Sequence, residues 1–229
     1  MLTSSGPLRV VVLISGTGTL LQALLDASTD ERFGAVVVAV GSDRDGIPGL
    51  ERAKRAGVPT FVHPLAGDRG GWDRALTVRV AGFEPDLVIS AGFLKLVGPA
   101  FLASYGGRMI NTHPALLPSF PGMHGPAEAL AYGVKVSGAT VFLVDAGVDT
   151  GVIIDQEPVR VADGDTAESL HERIKVVERD LLVRTVHRLA TLDWRVEERR
   201  FRWLPAAGQP KPVKAGLSES HRKRSYRQV

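Results

Sequence analysis

The chain has 229 residues, 44% apolar and 23% charged, with a formal net charge of +3 and no cysteine. This is the composition of an ordinary globular protein with a sizeable core, and it excludes disulfides, thiolate metal sites and cysteine nucleophiles. The charge is uneven: from Gln209 onward six lysines and arginines stand against Glu219 alone, which leaves a near-neutral body and argues against nucleic acid as a partner.

The final segment, 209–229, reads as a basic disordered tail, because it offers little to bury. No apolar run nears the ~20 residues of a membrane span, and the start lacks a basic region before its apolar stretch. A cytoplasmic location is therefore expected, as a monomer or homodimer.

Residues 9–14 form an almost continuous β-branched run, the pattern of a buried parallel strand. Ser15, Gly16, Thr17, Gly18 and Thr19 follow, and then Leu20, Leu21, Leu24 and Leu25 at helical spacing. A Gly-rich turn between strand and helix aims backbone N–H groups and the positive helix end at one point, a ready anion site. A simple tight turn is the competing reading. The dinucleotide fingerprint fails, because Leu21 stands where its third glycine belongs. A single phosphate fits better.

The alternation continues. Residues 35–40 form a strand, 48–56 a helix ending at Gly57, and 59–63 a short strand. A polar loop over 65–71 precedes a helix over 72–81. Residues 86–90 form a strand, 99–105 a short helix, and 109–113 another strand. Such alternation predicts an α/β fold with a doubly wound, mostly parallel sheet. Beyond Pro118 a breaker-rich loop leads to a helix near 127–132. Strands over 137–144 and 152–161 read as a hairpin, making the C-terminal part antiparallel. Asp165 and Glu168 have capping-box spacing. The helix that follows runs to about Leu189 with Leu170, Ile174, Val177, Leu181 and Leu182 on its buried side. Residues 194–204 read as a last strand or extended arm. One domain over 1–208 is expected, with a nucleotide-binding half at about 9–113 and a second half at 114–208.

The strand ending at His113 carries the chemistry. Residues two apart in a strand share a face, so Asn111 and His113 point at one spot, and Pro114 favours the extended geometry. Imidazole suits proton transfer near neutral pH, and an Asn amide can donate to an oxygen gaining negative charge. A nearby carboxylate would favour imidazolium. Of Asp145, Asp149 and Asp155, Asp149 lies in a Gly-flanked turn and is free to point inward. Asn, His and Asp together suit acyl-type transfer without a metal. His113 and His124 lack the tight spacing of a metal site, and none is expected. His63, His171 and His187 read as packing or surface residues. A lone strand-end His, or an Asp in a turn, is by itself more often structural.

Asn111, His113, Pro114, Leu116, Leu117 and Pro118, followed by Val148, Asp149, Thr150 and Gly151, resemble the motifs of the folate-dependent formyltransferases. The opening run Ile14 to Gly18 and the run Ser90 to Lys95 narrow the resemblance to the phosphoribosylglycinamide formyltransferase family, over roughly residues 9–190. It implies a Rossmann-type N-terminal half and a folate-binding second half. The activity implied is transfer of the formyl group of 10-formyltetrahydrofolate, a co-substrate, to the amine of glycinamide ribonucleotide in purine biosynthesis. By motif, Asn111, His113 and Asp149 would be catalytic. Gly18, Thr19 and Leu20 would hold the phosphate and Glu178 the ribose hydroxyls. Arg69, Leu94, Lys95, Leu96 and Val97, with Asn111 and Asp145, Ala146, Gly147, Val148 and Asp149, would meet the folate. Leu20, Phe142 and Pro126 depart from many relatives. The alternatives are a formyltetrahydrofolate hydrolase, expected to carry a preceding domain; a methionyl-tRNA formyltransferase, expected to carry a C-terminal barrel; and a non-catalytic folate- or nucleotide-binding module.

Overall fold

The computed structural model describes residues 6–204; the basic segment at 209–229 lies outside them. In chain order the elements are β1 (Leu8–Ile14), α1 (Thr19–Ala27), a short 3-10 turn (Glu31–Phe33), β2 (Ala35–Ser42), α2 (Pro48–Arg55), β3 (Thr60–Val62), α3 (Arg69–Ala81), β4 (Leu87–Ser90), α4 (Pro99–Tyr105) and β5 (Met109–His113). Then come α5 (Gly125–Tyr132), β6 (Val136–Leu143), β7 (Ile153–Arg160), α6 (Ala167–Thr191), β8 (Trp194–Glu197) and β9 (Arg200–Trp203).

One sheet runs in the order β3-β2-β1-β4-β5-β6-β7. Its first five strands are parallel, and β6 and β7 are antiparallel to their neighbours. This is the expected doubly wound, mostly parallel sheet with an antiparallel C-terminal part. The order reverses between β1 and β4, the point at which such sheets open a crevice beyond their carboxyl ends. There the N–H of Ser15 donates to the carbonyl of Gly92 at 3.1 Å.

The pleat sorts the core into two layers. Val10, Val12, Ile14, Ile89 and Ile110 pack with the leucines of α1 and α6. Val11, Leu13, Val88 and Met109 pack on the other face with Trp72 and Leu76 of α3 and Phe101 of α4. Each fully buried Leu or Val removes apolar area worth roughly 2 kcal/mol, so the two layers hold the strand ends in fixed register.

Several boundaries differ from expectation. The stretch 65–71 is not all loop: α3 starts at Arg69, because the Asp68 carboxylate accepts from Gly70 N (3.2 Å) and Gly71 N (2.6 Å). That cap outweighs the poor helix propensity of two glycines. α5 begins at Gly125, two residues early, with Pro126 in its first turn, where a missing N–H costs nothing. The capping box lies one residue later than expected, between Thr166 and Ser169. On α6, Val177 is only half-buried and Glu178 is buried instead. The final stretch is two strands: β8 and β9 pair antiparallel around stacked Trp194 and Phe201.

Candidate active site

β5 is built so that its two faces do different work. Met109, Asn111 and His113 turn to the α3/α4 face, whereas Ile110 and Thr112 turn to the α1/α6 face. Asn111 pairs through its backbone with Ser90 on one side and Phe142 on the other. Its side chain is partly exposed and makes no hydrogen bond among the described residues, so the amide is available. Phe142 is 2% exposed and packs as core beside it.

His113 is 4% exposed. Its Nε2 lies 2.7 Å from the carbonyl of Phe120, and its Nδ1 lies 3.5 Å from Oδ2 of Asp149. A carbonyl only accepts, so Nε2 carries the proton in that contact. Nδ1 then attracts the carboxylate only when it is protonated too, so the geometry suits imidazolium. Gly122 N donates to the same Asp149 oxygen at 2.7 Å. The loop after Pro118 thus touches both members of the pair. Asp149 sits at φ 54 and Phe120 at φ 55, a left-handed conformation that non-glycine residues seldom adopt and that marks a position held by its surroundings. The other two aspartates are engaged elsewhere. Asp145 accepts from Gly147 N and Thr150 Oγ1, and Asp155 pairs with Arg188 at 3.4 Å.

On the α1/α6 side, Gly18 is the N-cap of α1 at φ 70. A Cβ there would lie 2.7 Å from the Cα of Gly49; both the backbone angle and the approach of α2 demand glycine. The turn is therefore structural as well as open to a ligand. No side chain caps α1, and no acidic residue sits in its first turn, so the N–H groups at Thr19 and Leu20 end the helix uncovered. The Leu20 side chain is 9% exposed and joins the core, which explains a leucine there: only its backbone faces the turn. A cleft of about 330 Å³ beside the turn is bounded by Thr19, Arg52 and Arg179. Glu178 is 6% exposed. Burial pushes its carboxyl above the usual range, and the nearby Thr112 hydroxyl opposes that shift.

On the α3/α4 side two loops flank the end of β5. Residues 92–98 expose Leu94 (52%) and Leu96 (58%), and the 145–151 loop exposes Val148 (48%). Both leave one apolar cluster containing Phe93, Val97 and Val144. Arg69, at the start of α3, donates to the Leu96 carbonyl and lies 5.5 Å from the Trp72 ring centre. Arg69, Leu94, Leu96 and Val97 are thus brought together. The Lys95 ammonium instead turns away, to Asp43 at 3.1 Å. Asp145, Ala146, Gly147 and Val148 form the opposing loop with Asp149.

Three contributors escape a reading of the sequence. Asp43, just after β2, and Asp73, in α3, carry no signal in the sequence that singles them out; both are buried. Arg199, at the β8–β9 turn, donates to the Thr150 carbonyl at 2.7 Å beside Asp149. No local signal links a C-terminal turn to a loop 49 residues earlier.

The chain is similar to known proteins. The model of the formyl transferase family matches residues 8–186. A phosphoribosylglycinamide formyltransferase of Mycobacterium tuberculosis is 59% identical over 189 residues, covering 82% of this chain and 87% of that protein. The enzyme of the same name from Escherichia coli is 38% identical, over 75% and 82% of the two chains. The crystal structure of glycinamide ribonucleotide transformylase 1 from Symbiobacterium toebii superposes with a TM-score of 0.85 at 41% identity, covering 90% of this chain and 98% of that one.

Proposed function

The chain belongs to the formyl transferase family, and on that premise we propose that it is a phosphoribosylglycinamide formyltransferase of purine biosynthesis. Its substrates would be glycinamide ribonucleotide and 10-formyltetrahydrofolate. The observation that carries this reading is the end of β5. Asn111 and His113 share a face there, with Asp149 3.5 Å from the imidazole, between an uncovered helix N-terminus on one side of the sheet and two apolar-rimmed loops on the other.

In this reading the ribonucleotide lies on the α1/α6 side. Its phosphate meets the backbone of Gly18, Thr19 and Leu20, and its ribose hydroxyls meet Glu178. The folate lies on the α3/α4 side, between Arg69 with residues 94–97 and residues 145–149. The division between the two sites then follows the faces of the sheet rather than a cut in the chain near residue 113.

The substrate amine attacks the formyl carbon, and the carbonyl oxygen becomes an oxyanion. The Asn111 amide donates to that oxyanion. Imidazolium at His113 provides the second donor, exchanging the Phe120 carbonyl for the new oxygen. Asp149 stabilises the charged ring through Nδ1. Collapse of the intermediate breaks the bond from the formyl carbon to N10. The amine loses one proton and N10 gains one, with His113 as the relay. The products are the formamide and tetrahydrofolate. No group of three or more His, Cys, Asp or Glu among the described residues is arranged to hold a metal ion, and no step requires one.

The test follows the fate of the formyl group. With both substrates present, tetrahydrofolate should appear in step with formylated amine and stop when the amine is omitted. Formate release that ignores the amine would favour a hydrolase.

A further inference from the structure

The loop at 92–98 poses a physical problem. Phe93 and Val97 join the core at its ends, yet Leu94 and Leu96 between them are more than half exposed, so burial does not fix its middle. The remaining anchors are polar. Ser15 N donates to the Gly92 carbonyl (3.1 Å), and Leu94 N donates to Ser15 Oγ (2.9 Å). At the far end the buried carboxylate of Asp73 accepts from Gly98 N (2.6 Å), Ala100 N (2.8 Å) and Phe101 N (3.2 Å). In the middle Lys95 reaches past the end of β1 to Asp43, at the end of β2.

Asp43 is the centre of this arrangement. Its side chain is only 2% exposed and meets Lys95 Nζ at 3.1 Å and Arg44 Nη2 at 2.9 Å. Lys95 thus ties the middle of the loop to Asp43, while the Ser15 hydroxyl separately accepts from Leu94 N. Burial alone would raise the Asp43 carboxyl, but the neighbouring Arg44, Ser15 and Lys95 groups outweigh it and hold the group at about 2. It is an anion at any working pH.

We propose that Asp43 is a positioning residue for the reaction: through Lys95 it sets the backbone of residues 94–96 in the shape that receives the formyl donor. Lys95 acts inward, as an anchor, and does not offer its charge to the ligand. This rests on the placement of the folate against that loop, as set out above.

The test is a double-mutant cycle on the full chain with Asp43→Ala, Lys95→Met and the pair. The Michaelis constant for 10-formyltetrahydrofolate should rise about tenfold in each single variant, equivalent to about 1.4 kcal/mol. At saturating donor, kcat and the constant for the amine should stay within about twofold, and the double variant should be no worse than the worse single one, because the two act as one unit. Additive losses, or equal effects on both substrates, would overturn the proposal, as would an unchanged donor constant. Should Asp43→Ala not fold, Lys95→Met alone decides, since it leaves the Asp43–Arg44 pair. Failure of the proposed function itself would appear differently, as wild-type protein whose rate does not depend on 10-formyltetrahydrofolate.

Discussion

At the residue scale the site contains one group held against its own stability. Glu178 is buried in the α1/α6 layer beside Thr112. A carboxyl raised by burial destabilises the fold wherever the unfolded chain would ionise it. The penalty is absent below the ordinary carboxyl range, grows as pH rises through it, and is full above the raised folded value. Glu178→Gln should therefore raise the melting temperature at pH 8 relative to wild type, with the gain vanishing toward pH 4. The same variant should weaken binding of the ribonucleotide. A lower melting temperature at pH 8 would show that the charge is compensated. Residue roles were only partly legible in the sequence. The pairing of Asn111 with His113 follows from strand period alone. That Asp149, and not Asp145 or Asp155, faces the imidazole was a choice the pattern allowed, and the loop geometry makes it. The burial of Glu178 was hidden, because it sits beside Val177 in a helix whose apolar spacing suggested the neighbouring position.

At the element scale the strands of the large sheet were legible chiefly because β1, β2 and β4 are dense apolar, β-branched runs, whereas the split of the last stretch into β8 and β9 was not. Helix starts were less so, because caps depend on geometry. Asp68 starts α3 on two glycines, and Thr166 displaces Asp165 from the expected box. The polar anchors between elements were invisible, because they join residues far apart in sequence. Asp73 accepts three backbone N–H groups at the start of α4 while 2% exposed. Asp73→Ala should cost about 3 kcal/mol, since several buried donors lose their acceptor at once, measured by urea denaturation; a change under about 1 kcal/mol would mean that water replaces the carboxylate. Asp43 gives the acid limb its direction. Its folded value of about 2 lies below the ordinary 3.8. Its stabilisation is thus complete above about 4 and is lost as pH falls toward 2. Asp43→Asn should flatten that part of the stability profile.

At the scale of the molecule, one sheet joins both halves of the chain, and its switch between β1 and β4 lies at the crevice. The mostly parallel sheet with its antiparallel end could be anticipated from the alternation of elements and the hairpin at β6–β7. The reach of β8–β9 back to the 145–151 loop could not. Arg199 ties that loop to a hairpin held by Trp203 against Arg188, 4.0 Å apart. Every proposed site residue lies within 6–204, so removal of 209–229 should leave turnover within about twofold. A collapse of turnover would give those residues a role in the reaction.

The central claim is that formyl transfer occurs at the end of β5, on a histidine held by Asp149. Its most direct test is the single-turnover rate of amine formylation in Asp149→Asn and His113→Ala, with melting temperatures recorded alongside. The account predicts a fall of at least about 100-fold in each with the fold retained, the scale of a lost proton-transfer or charge-stabilising group. A rate near wild type in either folded variant would contradict it.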